Sequence, residues 1–329
     1  MDAEKLLALP DGRTLAYEHT GPPTSPSVII FLNGALSVGT ALPSRLPPAL
    51  VSKGVHYIAP TLPGYGNTSP RSKGVTYAAT IAGDICALLN DLYPDQGYVD
   101  LHIAGVSFGT VAAQMLYGAP FDIFPPGRNI RKMLLISAFP PFSDSSDRDF
   151  RYTRCMTWQN YITVGPPSKY IPFRIIPRLA KRFFESKLKT QEHAETFIRQ
   201  FLFDKMDAAE KELYRKWREE KGYDEGQIES EVAQMSRRSV GSSWEGLMST
   251  SEVLRSEWWG GKKLTELDEG HTKGRKVLLV VGETDDVTPR QWSEYLASKY
   301  TNAQLKMIDG GHINSMFHMD DIWAEFMDM

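Results

Sequence analysis

Six short apolar runs rich in Val, Ile and Leu punctuate the chain: Val28 to Leu32, His56 to Ala59, Val99 to Ala104, Met133 to Ser137, Val277 to Val281 and Gln304 to Ile308. Each has strand length and little polar alternation, the pattern of strands buried on both faces of a parallel sheet. Ahead of them, Leu6 to Leu9 and Thr14 to Glu18 flank the turn pair Asp11-Gly12. That arrangement predicts an antiparallel hairpin at a sheet edge. Between the runs, Tyr77 to Leu92, Val111 to Tyr117 and Pro289 to Tyr300 read as helices. Strand and helix alternate, so the fold class predicted is α/β, with a doubly wound, mostly parallel sheet.

The alternation stops between about Pro140 and Thr272, where no parallel strand is legible and the pattern turns helical and polar-aromatic. Glu192 to Phe203, Ala208 to Lys221 and Gln227 to Arg238 are predicted helices with opposite charges four residues apart on their exposed faces. Residues 140–272 therefore read as a helical cap inserted into a core formed by residues 1–139 and 273–329. Gly260, Gly261 and the polar run to Lys276 read as its return linker. The sequence carries no internal repeat and no low-complexity tract.

Candidate chemistry sits where one buried run ends. Gly105-Val106-Ser107-Phe108-Gly109 spells G-x-S-x-G between the strand ending near Ala104 and a small-residue helix starting near Thr110. In that context the motif is a nucleophile elbow: the serine takes a strained backbone conformation, and residues two before and two after it must lack bulk for strand and helix to approach. Gly105 and Gly109 meet that need. The N–H of Phe108, next after the serine, is then placed as an oxyanion donor.

With these residues the chain resembles the capped α/β-hydrolases, a resemblance that covers nearly everything outside the cap. It implies an α/β-hydrolase core and a serine, an acid and a histidine in that chain order. After the strand ending at Val281, Gly282-Glu283-Thr284-Asp285-Asp286-Val287-Thr288-Pro289 is similar to the family's G-E-x-D-x-x-x-P and nominates Asp285 as the acid. Asp286 is the adjacent alternative, and Asp144 or Asp147 would serve if the acid followed the earlier strand Met133 to Ser137. Asp309-Gly310-Gly311-His312 follows the last strand, where the family carries its histidine, and nominates His312. His318 is assigned to the helix beyond. The second oxyanion donor implied is the N–H of Ala35 in Asn33-Gly34-Ala35, where relatives carry His-Gly; Asn33 replaces the histidine and can hold the loop by hydrogen bonds. Leu62 to Ser69 is similar to the family's D-x-P-G-x-G-x-S loop, with Thr61 in the usual acidic place, and reads as structural.

A serine at the elbow disfavours the family's epoxide hydrolases and haloalkane dehalogenases, which resemble one another in using aspartate there. What remains is attack on a carbonyl, with an ester or lactone of a moderately apolar small molecule as the expected substrate. The alternatives are carbon–carbon bond hydrolysis, a lyase or cyclase step with the same triad, or a hydrolase-like small-molecule receptor with slow turnover. No phosphate-binding loop, paired metal-ligand spacing or dinucleotide fingerprint is present, so neither cofactor nor metal is expected.

Composition narrows the partners. A formal net charge of -3 over 329 residues gives no electrostatic reason to expect nucleic acid. Two cysteines, Cys86 and Cys155, cannot form a disulfide framework, the first residues do not read as a signal peptide, and no apolar run reaches the roughly 18 residues of a membrane span. A cytoplasmic enzyme is expected; its oligomeric state is not legible. Trp158, Trp217, Trp244, Trp258 and Trp259 fall in the inserted region, and the adjacent pair Trp258-Trp259 is expected to offer one ring to the substrate pocket. Ile171 to Phe184 interleaves arginine and lysine with apolar residues. Pro172 and Pro177 interrupt it, so it is expected to turn its apolar side to the core rather than to a membrane.

Overall fold

The structure, a computed structural model, describes residues 4–95, 97–143, 150–171, 174–260 and 262–329. Its sheet holds β1 (Lys5–Ala8), β2 (Thr14–Thr20), β3 (Ser27–Leu32), β4 (His56–Pro60), β5 (Asp100–Val106), β6 (Ile130–Ile136), β7 (Lys276–Gly282) and β8 (Ala303–Ile308). They lie in the order β1-β2-β4-β3-β5-β6-β7-β8. The β1–β2 hairpin is antiparallel, with Leu6 opposite Ala16, and β2 runs antiparallel to β4. All further neighbours are parallel. The edge hairpin and the six apolar runs thus appear as strands where the hydrophobic pattern places them, although β8, at the far edge of the sheet, is only partly buried, with Ile308 its one buried residue.

Helices in chain order are α1 (Pro48–Ser52), α2 (Tyr77–Leu92), α3 (Gly109–Tyr117), α4 (Trp158–Thr163), α5 (Pro167–Tyr170), α6 (Ile175–Lys187), α7 (Gln191–Ile198), α8 (Ala208–Lys221), α9 (Gln227–Val240), α10 (Glu245–Arg255), α11 (Glu269–Thr272), α12 (Arg290–Lys299) and α13 (Met319–Asp328). Successive side chains of a strand point to opposite faces, and β3 displays this directly. Val28, Ile30 and Leu32 pack with Ile81 and Ile85 of α2, Val111 and Met115 of α3 and Trp292 of α12. Ile29 and Phe31 pack with Leu50 of α1 and with Ile322, Trp323 and Phe326 of α13. Helices cover both faces, which is why these strands are apolar throughout.

Between β6 and β7 the described elements are helical. Leu188, Phe197, Ile198, Phe203, Met206, Ile228, Ala233 and Val240 form a separate apolar cluster that rests on Leu36, Ile313 and Phe317 of the core. The helix predicted over Glu192 to Phe203 is α7 followed by a π-helical turn, Arg199–Phe203. The inserted interval is not uniform, however: Phe142, Tyr152, Val253, Leu254, Trp258, Trp259 and Leu264 belong to the main cluster with α2 and α3. Nor is the return segment a loose linker. The Arg275 guanidinium is buried and donates to the carbonyls of Tyr117, Gly127 and Gly270, and His271 stacks on Phe121 at 4.1 Å.

The segment Ile171 to Phe184 also departs from expectation. Pro177 stands in the first turn of α6, where a missing N–H costs nothing, so it starts the helix rather than breaking it. Within α6 only Ile176 is fully buried, while Ile175, Leu179 and Phe183 face solvent beside Arg178 and Arg182.

Candidate active site

Ser107 follows β5 and precedes α3 with φ 51°, the left-handed region that non-glycine residues avoid. Its neighbours impose that conformation. The Ser107 N–H donates to the Ile136 carbonyl at 2.8 Å, and the Ser107 carbonyl accepts the Thr110 N–H at 3.0 Å and the Thr110 hydroxyl at 2.6 Å. A Cβ on Gly105 would stand 2.6 Å from the Gly109 carbonyl oxygen, and one on Gly109 only 2.0 Å from that of Leu32. Both glycines are therefore obligatory for the close strand–helix approach.

The loops after β7 and β8 bring two more groups to this turn. His312 Nε2 lies 3.0 Å from Ser107 Oγ, and His312 Nδ1 lies 2.8 Å from Asp285 Oδ2. Asp285 is buried. Its Oδ1 accepts the N–H groups of Val287 (2.9 Å) and Thr288 (2.8 Å), and its Oδ2 accepts the hydroxyls of Thr288 (2.7 Å) and Ser137 (2.9 Å). Burial alone would raise this carboxyl's pKa. The adjacent His312 and the Thr288 bonds outweigh burial and hold it below the ordinary carboxylate value. An imidazole placed so can take the serine proton through Nε2 while Nδ1–H stays fixed on the carboxylate.

Asp286 is exposed and lies 3.9 Å from Lys205 Nζ, whereas the His312 ring is partnered by Asp285. Asp144 and Asp147 lie outside the described residues. His318 closes the short helical turn Asn314–His318 ahead of α13. Ser137 and Thr288 were not singled out in the sequence. Thr288 stands three residues after Asp285, a spacing at which a hydroxyl can reach back. Ser137, with φ 53°, ends the strand beside the elbow, a position that marks it in retrospect.

The loop after β3 also presses close to Ser107: a Cβ on Gly34 would come 3.2 Å from Ser107 Cβ. Leu36 follows at φ 57°. Among the described residues neither the Ala35 nor the Phe108 N–H donates a hydrogen bond, so both are available to an oxygen on a bound carbonyl. The Asn33 side-chain NH₂ is buried without a partner, so the loop is not held through it. The Pro-Gly turn after β4 instead fastens the cap region, with the Gly66 N–H donating to Ser239 and the Gly246 N–H to Gly64. Thr61 accepts the Gly39 N–H at 2.8 Å.

Trp258 and Trp259 do not roof this site. Both are buried in the main core cluster, edge to face at 5.7 Å, with indole N–H groups donating to the carbonyls of Val253 and Gln114. The expectation failed because a tryptophan late in an insertion can serve the core as well as the insertion. A cleft of about 330 Å³ does reach His312; Phe201, Met206 and Glu210 of the cap face Thr284 and Val287 across it. Among the described residues no group of three or more His, Cys, Asp or Glu is placed to hold a metal ion, and no helix is long and apolar enough to cross a membrane.

Comparison with known proteins agrees with this architecture. A hydrolase from Pseudomonas aeruginosa PA01 superposes with TM-score 0.62 at 17% identity, covering 98% of this chain and 97% of that one. An esterase from Exiguobacterium antarcticum gives 0.60 at 15% identity, over 99% and 100% of the two chains. The enol-lactonase from Burkholderia xenovorans LB400 gives 0.61 at 16%, over 98% of each. No curated protein sequence matches the chain. The sequence pattern described as the alpha/beta hydrolase family matches residues 29–326, nearly the whole length, and the chain belongs to that family.

Proposed function

We propose that the protein is a cofactor-independent serine hydrolase that cleaves an ester or lactone bond of a moderately apolar small molecule. The observation that carries this is the unbroken relay Ser107 Oγ to His312 to Asp285, at 3.0 and 2.8 Å, together with the Phe108 and Ala35 N–H groups, which donate no hydrogen bond among the described residues. Ser107 Oγ attacks the carbonyl carbon as its proton passes to His312 Nε2. The oxygen that gains charge is received by the N–H groups of Phe108 and Ala35. Asp285 keeps the ring oriented and stabilises the imidazolium. His312 then returns the proton to the departing alkoxide, leaving an acyl-enzyme on Ser107 that water cleaves by the same steps in reverse. The names of the similar structures, an esterase and an enol-lactonase, support this bond class. The reading takes the enzyme to be cytoplasmic, in line with its unpaired Cys86 and Cys155.

The test is labelling by a fluorophosphonate, with a screen of p-nitrophenyl esters of graded chain length and of lactones. Ser107→Ala is expected to abolish labelling and turnover together while the melting temperature stays close to that of the native protein. Labelling of the variant at the native rate would assign the nucleophile elsewhere.

A further inference from the structure

The glycine before His312 is shared between core and cap: its carbonyl accepts the Asn314 N–H of the core at 3.1 Å, while its N–H is held by the cap. At Gly310 the loop is pinned from below, its carbonyl accepting the Thr284 N–H at 3.1 Å. One residue on, the Gly311 N–H donates to Glu210 Oε1 at 2.7 Å, across 101 positions of sequence. Glu210 is itself fixed at the start of α8. Its Oε2 accepts the Asp207 N–H at 2.8 Å, and its own N–H donates to Asp207 Oδ1 at 2.9 Å, a reciprocal capping box. One carboxylate therefore closes the helix end with one oxygen and holds the backbone next to His312 with the other. The fit is close, since a Cβ on Gly310 would stand 2.5 Å from Glu210 Oε1.

We infer that Glu210 is a positioning residue that sets His312 against Ser107 and makes that geometry depend on the seating of the cap. The physical basis is that proton transfer tolerates little displacement: a shift of about 1 Å remote from the reacting atoms can cost about 100-fold in rate. Glu210 reaches His312 only through the Gly311 N–H. With that bond lost, the Gly310-Gly311 pair has the backbone freedom to let the ring drift.

The inference rests on the serine-hydrolase reading for its kinetic arm and on structure alone for its second arm. The rate at which a small alkyl fluorophosphonate labels Ser107 would be measured for the native protein and for Glu210→Ala, Glu210→Gln and Asp207→Ala. Glu210→Ala is expected to slow labelling about 10- to 100-fold. Glu210→Gln keeps one acceptor oxygen for the Gly311 N–H and gives up the acceptor for the Asp207 N–H, so labelling is expected within about threefold of native with a lowered melting temperature, which separates the Gly311 bond from the charge. Asp207→Ala unmakes the capping box without touching Gly311, so it should lower the melting temperature and leave labelling nearly unchanged. Native labelling in Glu210→Ala, or an equal loss in Asp207→Ala, would overturn the assignment. Deuterium exchange at the Gly311 amide should be faster in Glu210→Ala than in Glu210→Gln or the native protein. That measurement needs no catalysis, so unchanged exchange overturns the inference even if Ser107 proves unreactive.

Discussion

The strand-end loops of the core and the helices of the cap hold their residues by opposite means. At the elbow, backbone meets backbone so closely that two glycines cannot carry a Cβ, and Asp285 is buried under bonds from Val287, Thr288, Ser137 and His312. In the cap, α8 buries none of its residues, and its charges pair in solvent: Arg215 lies between Glu212 and Glu219 at 2.7 Å from each. Apolar side chains of α6 face water. Interactions removed from water are costly to break because the partners left behind stay unpaired, whereas exposed ones are replaced by solvent. The core should respond steeply to single-atom changes, and the solvent-paired charges of the cap hardly at all.

The largest effect is expected at the buried carboxylate of the site. Asp285→Asn preserves shape but favours the wrong imidazole tautomer and removes the carboxylate that steadies the imidazolium. Turnover should fall about 10⁴-fold if the triad acts as proposed. Asp286→Asn, at an exposed neighbour, should change turnover less than about threefold. Steady-state kinetics on one ester decides it, and a reversal of the two effects would move the acid to Asp286.

Next in size is a change in packing. Gly109→Ala places a methyl 2.0 Å from a backbone oxygen that cannot rotate away, and should cost more than about 3 kcal/mol or prevent folding. Gly222→Ala, at the αL end of α8 with open space around it, meets only the strain of its φ of 72° and should cost about 1 kcal/mol. Denaturant titration of both variants would compare the regions directly.

This asymmetry also accounts for what could be read from the sequence. The β3 to β7 runs were legible because strands buried on both faces must be apolar, and Ser107 because only glycine fits two residues to either side of it. Asp285 was separable from Asp286 by its spacing from Gly282 and Pro289. Helix α8 was legible to its ends, since Asp207 and Glu210 cap it locally and Gly222 ends it. By contrast, the bonds from Ser137 to Asp285 and from Glu210 to Gly311 span 148 and 101 residues, and no local pattern announces a partner at that separation. Trp259 failed for the same reason, because the carbonyl that takes its indole N–H belongs to Gln114, 145 residues away.

Acid should act on the core before the cap. Burial holds His102 and His56 down to about 4, so both stay neutral in the fold while the unfolded chain protonates near 6.5. A depressed folded value for a base means stability is fully present above about 6.5 and lost as pH falls towards about 4, with no further loss below. His102, on β5 with its Nδ1 unpartnered, should contribute about 2 kcal/mol to that slope. His102→Val should flatten it when melting is followed between those limits. Equal slopes in the native protein and the variant would show that acid sensitivity arises elsewhere.

The smallest effect is expected where the ion pairs look best on paper. Arg215 donates to two carboxylates of its helix, Glu212 and Glu219, through three contacts of 2.7 Å and one of 2.9 Å. These contacts pull the Glu212 carboxyl down to about 2. That shift records attraction, not stability, because both groups are fully solvated and water takes over when the partner is removed. Arg215→Ala also substitutes a strong helix former in the middle of α8, which offsets part of any loss. The melting temperature should therefore move by no more than about 1 °C, and by less in 0.5 M salt, where the pair is already screened. A drop of several degrees that disappears in salt would mean that the cap is held by its surface charges, and the contrast between the two regions would have to be redrawn.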